Sequence, residues 1–184
     1  VLDRIRNEML NDPTVLAVSG TGNNLGRGRD RRTGRSTMDF GYKETRINAD
    51  YFLVENDFLK TLDVPVLAGR GFGNNFSTSD KNGVVVSESF VKAMGENEPI
   101  GKIIGDDATA GWQIVGVVKD FKLNSPTEQQ KPIVLYVSAA ETINYIFLKV
   151  NTEKPQAAMK NITAAWNRST NNAEFQGSFL DENL

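Results

Sequence analysis

The chain has 184 residues, carries 21 Lys and Arg against 23 Asp and Glu for a formal net charge of −2, and contains neither Cys nor His. Without these two residue types, the usual zinc, haem and iron–sulfur sites, the cysteine nucleophiles and the commonest general base at neutral pH are all excluded. The near-neutral charge gives no electrostatic reason to expect a nucleic acid as the partner.

The first 62 residues predict two helices and three strands. Residues 1–10 carry apolar side chains at positions 1, 2, 5, 9 and 10, a helical spacing that ends before Pro13. Residues 15–19 are β-branched and alternate in polarity, which favours a strand. Residues 37–42 and 46–55 predict two further strands, close enough in sequence to pair as a hairpin. A short helix is predicted over residues 57–62.

A long polar loop is predicted between the first two strands. Residues 20–35 read GTGNNLGRGRDRRTGR and show no apolar period. A glycine-rich loop holds a dinucleotide only where it opens a helix. An arginine-rich run follows here instead, so we predict no nucleotide site. These arginines suit carboxylates, phosphates and lipid headgroups, and are candidate partner contacts or a solvated hairpin tip. They are Arg27, Arg29, Arg31, Arg32 and Arg35.

The middle of the chain alternates short strands with one helix. Residues 64–70 are extended, and residues 84–86 predict a buried strand. Ser87 is the expected N-cap of a helix that ends at Gly95. Residues 99–104 predict a turn and a strand, and residues 112–119 and 133–137 predict two more strands. Phe72 and Phe76 are candidates for an exposed aromatic patch that contacts a partner, with core packing as the alternative.

The last third has the pattern of a βαβ unit. Residues 145–150 predict a strand, and a helix follows with Pro155 near its first position. Ala158, Ile162, Ala165 and Trp166 share one face of this helix, and residues 175–180 predict the return strand. The opening helix and strand repeat this order. We therefore expect the two chain ends to form one unit, with residues near 65–138 inserted as a second lobe.

No catalytic or membrane-spanning feature is visible in the sequence. No acid–base pair stands out, so we predict no catalytic residue, no metal site, no cofactor and no enzyme activity. No segment reaches the roughly 20 apolar residues that span a bilayer. Because the chain begins without Met and within a helical pattern, we expect it to be a region of a longer protein.

Five short motifs, in this order and spacing, resemble those of a known family. They are LAGRGF at 67–72, VVVSESF at 84–90, PIGK at 99–102, IVGVVKDF at 114–121 and KPIVLY at 131–136. The chain resembles the periplasmic core domain of MacB-type ABC transporter permeases, within the wider FtsX-like group. The end of the fourth motif, Lys119-Asp120-Phe121, is similar to the form of that motif in the Bacteroidetes branch of the family. The resemblance is strong from Asn48 onward. Before Asn48 it rests only on the order of the predicted helices and strands.

The resemblance implies an α+β fold. It implies a porter-like βαβ subdomain built from residues 1–64 and 139–184, and an inserted smaller α/β lobe, Sabre-like, at residues 65–138. It places the domain between the first and second membrane helices of a permease in the bacterial inner membrane, facing the periplasm.

The resemblance also implies a function and a set of partners. The domain would couple cytoplasmic ATP hydrolysis to periplasmic work: mechanotransmission, export, or the handling of lipoproteins or peptides. The implied partners are a cytoplasmic ABC ATPase, a second permease copy and a periplasmic adaptor or outer-membrane component, with no nucleic acid. The alternative is a free-standing extracytoplasmic module that binds a ligand or peptide, which a pocket of convergent polar groups would favour.

Overall fold

The computed structural model describes residues 2–26, 34, 36–73, 82–105, 111–122, 130–151, 153, 155–170 and 173–182. The helices within these ranges are α1 (Leu2–Met9), α2 (Phe58–Thr61), α3 (Glu88–Met94) and α4 (Pro155–Ser169). The strands are β1 (Val15–Thr21), β2 (Thr37–Tyr42), β3 (Thr45–Leu53), β4 (Val66–Gly69), β5 (Gly83–Ser87), β6 (Ile103–Ile104), β7 (Trp112–Val118), β8 (Ile133–Tyr136) and β9 (Tyr145–Val150). A short 3-10 helix spans Leu180–Glu182.

The strands form two sheets. The larger sheet has the order β2-β3-β8-β5-β7-β4, and β6 also pairs with β7. Its β3–β8 and β5–β7 pairs are parallel, and the remaining pairs are antiparallel. Because β5 occupies one edge of β7, the segments β4 and β6 follow one another along the other edge. The smaller sheet is the antiparallel pair β1-β9. This mixed architecture confirms the predicted α+β class.

The larger sheet is buried on both faces. Strand β5, GVVVS, is buried at every position, as expected for a strand without alternating polarity. On one face Val84 and Val86 pack in a cluster with Phe90 of α3. On the other face Val85 packs in a cluster with Phe58 of α2. The sheet is therefore the centre of the molecule, with one helix on each side.

The smaller sheet is covered by the helices from the two chain ends. Ile5 and Met9 of α1 and Ala165 of α4 are buried against it, together with Val18 and Leu148 from its two strands. An ion pair between Arg168 and Glu8 joins the two helices at the surface. The predicted apolar faces of α1 and α4 are the faces that pack here. The division of the chain into two units stays a prediction.

The predicted return strand at residues 175–180 is wrong. Residues 173–179 form no helix or strand, and the 3-10 helix begins at Leu180. The start of this segment is held by the end of α4 instead. The Ala173 carbonyl accepts a hydrogen bond from the Trp166 indole at 2.7 Å, and the Ala173 N–H donates to the Thr170 carbonyl at 3.1 Å.

Strand pairing also cuts across the expected division of the chain. The hairpin β2-β3, expected with residues 1–64 in the first unit, lies in the larger sheet, where β3 pairs in parallel with β8 from Asp50↔Ile133 to Leu53↔Tyr136. The reason is packing, because Phe40 and Ile47 of this hairpin are buried in the cluster that contains α3. Helices α1, α4 and α2 all contact the strands β1 and β9 of the smaller sheet.

Two of the family-like motifs meet at a pair of glycines. Gly69 of LAGR pairs with Gly116 of IVGVV across β4 and β7. A Cβ on Gly116 would lie 1.9 Å from the Arg70 carbonyl oxygen, and one on Gly69, where φ is +67°, would lie 2.3 Å from the Val115 carbonyl oxygen. Main chains pass at these two points with no room for a side chain.

The motifs VVVSESF, IVGVVKDF and KPIVLY meet at the start of α3. The Asp120 carboxylate accepts a hydrogen bond from the Ser89 N–H at 3.1 Å, and the Glu88 carboxylate accepts one from the Asp120 N–H at 3.1 Å. The KDF segment thus caps the helix from across the sheet. Ser87 stands at the N-cap position but its side chain makes no capping bond. Instead its hydroxyl accepts the buried Ile133 N–H at 2.9 Å.

We predict that Gly116→Ala lowers the free energy of unfolding by roughly 1–3 kcal/mol or more, because the new methyl group overlaps a backbone carbonyl that cannot move aside cheaply. Gly73→Ala is the matched control, since no described atom lies within 4 Å of its Cβ position. Urea denaturation of both variants measures the difference. Equal stabilities for the two would contradict the close approach.

We predict that Ser87→Ala lowers the free energy of unfolding by about 1–3 kcal/mol, because it leaves the buried Ile133 N–H without an acceptor. Ser89→Ala removes only the hydroxyl that contacts Ser87 and should cost less. Thermal denaturation followed by circular dichroism compares the two. A larger loss for Ser89→Ala would show that the Ser87–Ile133 bond is not the important one.

Candidate functional site: the junction of the two sheets

Most of the predicted contact residues fall outside the described part of the chain. The five arginines of the loop, Arg27, Arg29, Arg31, Arg32 and Arg35, and the aromatic residue Phe76 all lie there, so their role stays a prediction. Phe72 is described, and it is buried in a core cluster with 6% of its surface exposed. Its ring is therefore part of the core and is not an exposed partner contact in this structure.

The described residues that join the two sheets form a continuous set of contacts, which we call the junction. It links residues 19–22, at the end of β1, to residues 53–56, at the end of β3 and just after it. Hydrogen bonds run from the Gly22 N–H to the Leu53 carbonyl (3.0 Å), from the Glu55 N–H to the Gly20 carbonyl (2.9 Å) and from the Ser19 hydroxyl to the Asn56 carbonyl (3.1 Å). A β-bridge pairs Thr21 with Val54. Strand β1 therefore has partners on both edges.

An ion pair ties α1 to the same place. The Arg6 guanidinium on α1 contacts the Glu55 carboxylate, and the two side chains are only 25% and 23% exposed. Gly20 makes room for this contact, because a Cβ there would lie 2.7 Å from Glu55 Oε2. Partial burial weakens screening by solvent, so this pair contributes more than an exposed surface pair would.

A second ion pair ties β9 to the turn after α2. The Lys149 Nζ lies 2.6 Å from each carboxylate oxygen of Asp63, and Asp63 adopts a positive φ of 54°. The Asp63 carboxylate is 72% exposed, so water screens this contact and its free energy is small. Two apolar side chains add to this link. Phe147 of β9 and Leu180 of the 3-10 helix pack against the core cluster of the larger sheet around Phe58.

Two described groups with clearly shifted pKa values are Glu96 and Tyr136. The pKa of Glu96 falls to about 2, first because the Tyr42 hydroxyl and then because Lys43 bonds its carboxylate. Burial, followed by the Glu141 carboxylate, raises the pKa of Tyr136. Neither group lies at the junction. Across the ranges given above, no group of three or more Asp or Glu could hold a metal ion.

A cleft lies beside the junction, between β9, α4 and residues 175–180. Its volume is about 330 Å³. Apolar side chains from all three walls line it, including Leu148, Ile162 and Phe179, with amides at Asn144 and Gln176. A third strand paired with β9 would fill this space. The cleft is present because residues 175–179 form no strand.

Sequence reasoning did not find the junction or the cleft. Arg6 and Glu55 are 49 residues apart. Arg6 lies within a predicted helix and Glu55 at the end of a predicted strand, and neither stands out among the other charged residues. Gly20 belonged to the predicted loop, where a glycine needs no special reason. No local pattern signals a pairing that only the tertiary fold creates.

Comparison with known proteins identifies the family. The family description "MacB-like periplasmic core domain" matches residues 2–165. No curated protein matches the sequence. None of the helices in the described ranges is both long and apolar enough to cross a membrane.

Solved structures share the fold at low sequence identity. The extracellular domain of the noncanonic ABC-type transporter YknZ from Gram-positive bacteria has a TM-score of 0.65 at 14% identity, over 94% of this chain and 84% of that one. The periplasmic region of MacB from Actinobacillus actinomycetemcomitans has a TM-score of 0.63 at 17% identity, over 90% and 72%. A domain assigned to a permease protein from Porphyromonas gingivalis has a TM-score of 0.57 at 17% identity, over 89% and 74%.

These comparisons agree with the motifs described above. At such identities the solved structures establish the fold, while the family match spans most of the chain. The motifs around Gly116 and Ser87 then have a structural explanation in this fold. The chain belongs to the family of MacB-like periplasmic core domains.

Proposed function

We propose that this domain belongs to an ABC transporter permease of the bacterial inner membrane, faces the periplasm, and passes movement of the membrane helices to periplasmic partners. The partners would be a cytoplasmic ABC ATPase, reached through the membrane helices, a second permease copy, and a periplasmic adaptor or outer-membrane component. ATP hydrolysis would lie in the cytoplasmic partner, and the domain itself would carry out no catalysis.

The observation that carries this proposal is the junction. Helix α1 is held by Arg6 to Glu55 and by Glu8 to Arg168 of α4, while β1 hydrogen-bonds to the chain after β3. Close-packed and hydrogen-bonded elements resist compression and move together. A displacement of α1 would therefore reach the larger sheet through the contacts of the junction.

The free-standing ligand- or peptide-binding module is the second candidate, and the cleft beside β9 is the observation that favours it. We prefer the coupling function, because apolar side chains dominate the lining of the cleft and few polar groups converge there. A specific recognition site for a polar ligand or peptide would need more of them.

We predict that a charge reversal at either end of the Arg6–Glu55 pair weakens coupling and that the double reversal restores it. Each single variant, Arg6→Glu or Glu55→Arg, leaves a partly buried charge beside a like charge and should lower the free energy of unfolding by about 1–3 kcal/mol. Arg6→Glu plus Glu55→Arg rebuilds the pair. Arg4→Glu is the matched control, since it reverses an exposed charge on the same helix.

The measurement uses the full-length permease assembled with its ATPase in lipid nanodiscs. The 184-residue chain has no Cys, so once any Cys elsewhere in the permease and its ATPase is replaced, a Cys at exposed Lys92 on α3 takes one spin label per copy. We expect the label-to-label distance in the dimer to differ between the nucleotide-free and ATP-trapped states. That difference should shrink in each single reversal and return in the double variant and in Arg4→Glu. An unchanged distance in the parent protein, or full movement in both single reversals, would contradict the proposal.

A further inference from the structure

We propose that the cleft between β9, α4 and residues 175–180 binds a small, uncharged, apolar ligand, such as a single hydrocarbon chain or a fused aromatic ring system. The inference is independent of the coupling function, because it rests only on the shape and chemistry of this cleft.

The cleft is large enough for such a ligand and is bounded on three sides. Its volume of about 330 Å³ falls at the lower end of the range for small-molecule sites, roughly 300–1,000 Å³. Strand β9 pairs with β1 on one edge, and no described strand pairs with its other edge. The space beside β9 is therefore bounded by side chains and is not filled by a neighbouring strand.

The wall opposite β9 is fixed to α4 by specific contacts. The Trp166 indole donates to the Ala173 carbonyl at 2.7 Å, and its ring meets that of Phe175 edge-on, with centroids 6.0 Å apart. A Cβ on Gly177 would lie 2.2 Å from the Phe175 ring, so the segment folds tightly over that ring. These contacts hold residues 173–177 against the helix and keep the cleft open.

The chemistry of the lining selects an uncharged ligand. Among the described residues, the seventeen that line the cleft include no Asp, Glu, Lys or Arg. Apolar side chains of Ile146, Met159, Ile162, Trp166 and Phe179 line it and are only half-buried. Covering this apolar surface releases hydrophobic free energy. A charged group placed here would lose hydration and gain no ionic partner, so the lining is complementary to a neutral molecule.

Exposed amides mark the rim of the cleft. Asn144 and Gln176 are exposed members of the lining, and the Asn144 side chain donates to the Gly22 carbonyl at 2.9 Å. Such groups accept or donate a hydrogen bond without bringing a net charge. A ligand with a small neutral polar end would therefore fit with that end at the rim.

The test uses a pair of fluorescent probes that share one ring system. The 184-residue chain is titrated with uncharged N-phenyl-1-naphthylamine and, separately, with its anionic analogue 1-anilinonaphthalene-8-sulfonate. We expect saturable binding of one neutral probe per chain, with an affinity about tenfold or more above that of the anion. Because the chain has two Trp residues, Trp112→Phe leaves Trp166 as the only donor, and the bound neutral probe should quench its emission by energy transfer.

Two variants and one control locate the probe. Met159→Trp fills the cleft from the side of α4, and Phe179→Asp places a charge in the wall formed by residues 175–180. Each variant should weaken binding of the neutral probe about tenfold or more. Ile103→Asp makes the same kind of change at an exposed apolar residue of the larger sheet's edge and should leave the affinity unchanged. Circular dichroism and thermal denaturation confirm that each variant is folded.

The proposal is overturned by any of three results. These are no saturable binding of the neutral probe, equal or tighter binding of the anion, or loss of binding in Ile103→Asp with retention in a folded Phe179→Asp. The last result would assign the probe to the exposed apolar edge formed by β4 and β6.

Discussion

The hydrogen bonds between β1 and the chain after β3 are the constraint on which the rest of the structure depends. Strand β1 lies between β9 and residues 53–55, so the smaller sheet continues into the larger one through main-chain bonds. Gly20 allows Glu55 to lie against this strand, and Glu55 in turn holds Arg6 of α1. Packing of Phe147 and Leu180 against the core cluster around Phe58 adds a side-chain link between the two sheets.

Local patterns were enough to predict most of the elements. The apolar run at 84–86 and the helix from Ser87 to Gly95 follow from burial and turn chemistry, and so does the apolar face of α4. The failures are non-local. The pairing of β3 with β8 joins distant segments, and the Arg6–Glu55 contact spans 49 residues. The predicted return strand at residues 175–180 is absent, and the Trp166 indole bonds Ala173 just before it.

The motifs that carry the family resemblance turn out to explain the fold more than the function. Gly69 and Gly116 allow two main chains to touch, Asp120 caps α3 from across the sheet, and Ser87 satisfies a buried N–H of β8. None of them contributes to the cleft or the junction. Features that distinguish one member of such a family from another are therefore expected in residues like Arg6, Glu55 and the cleft lining, which no short motif marks.

Native-state hydrogen exchange of the 184-residue chain measures whether the two sheets open together as one body. The informative amides are those of Gly22 and Glu55 at the junction, compared with Ile133 in the larger sheet. If the sheets form one cooperative unit, the opening free energies at the junction should agree with that of Ile133 within about 1 kcal/mol. Fast exchange at Gly22 and Glu55, with Ile133 and the β1–β9 amides still protected, would reveal a hinge between the sheets and contradict the account.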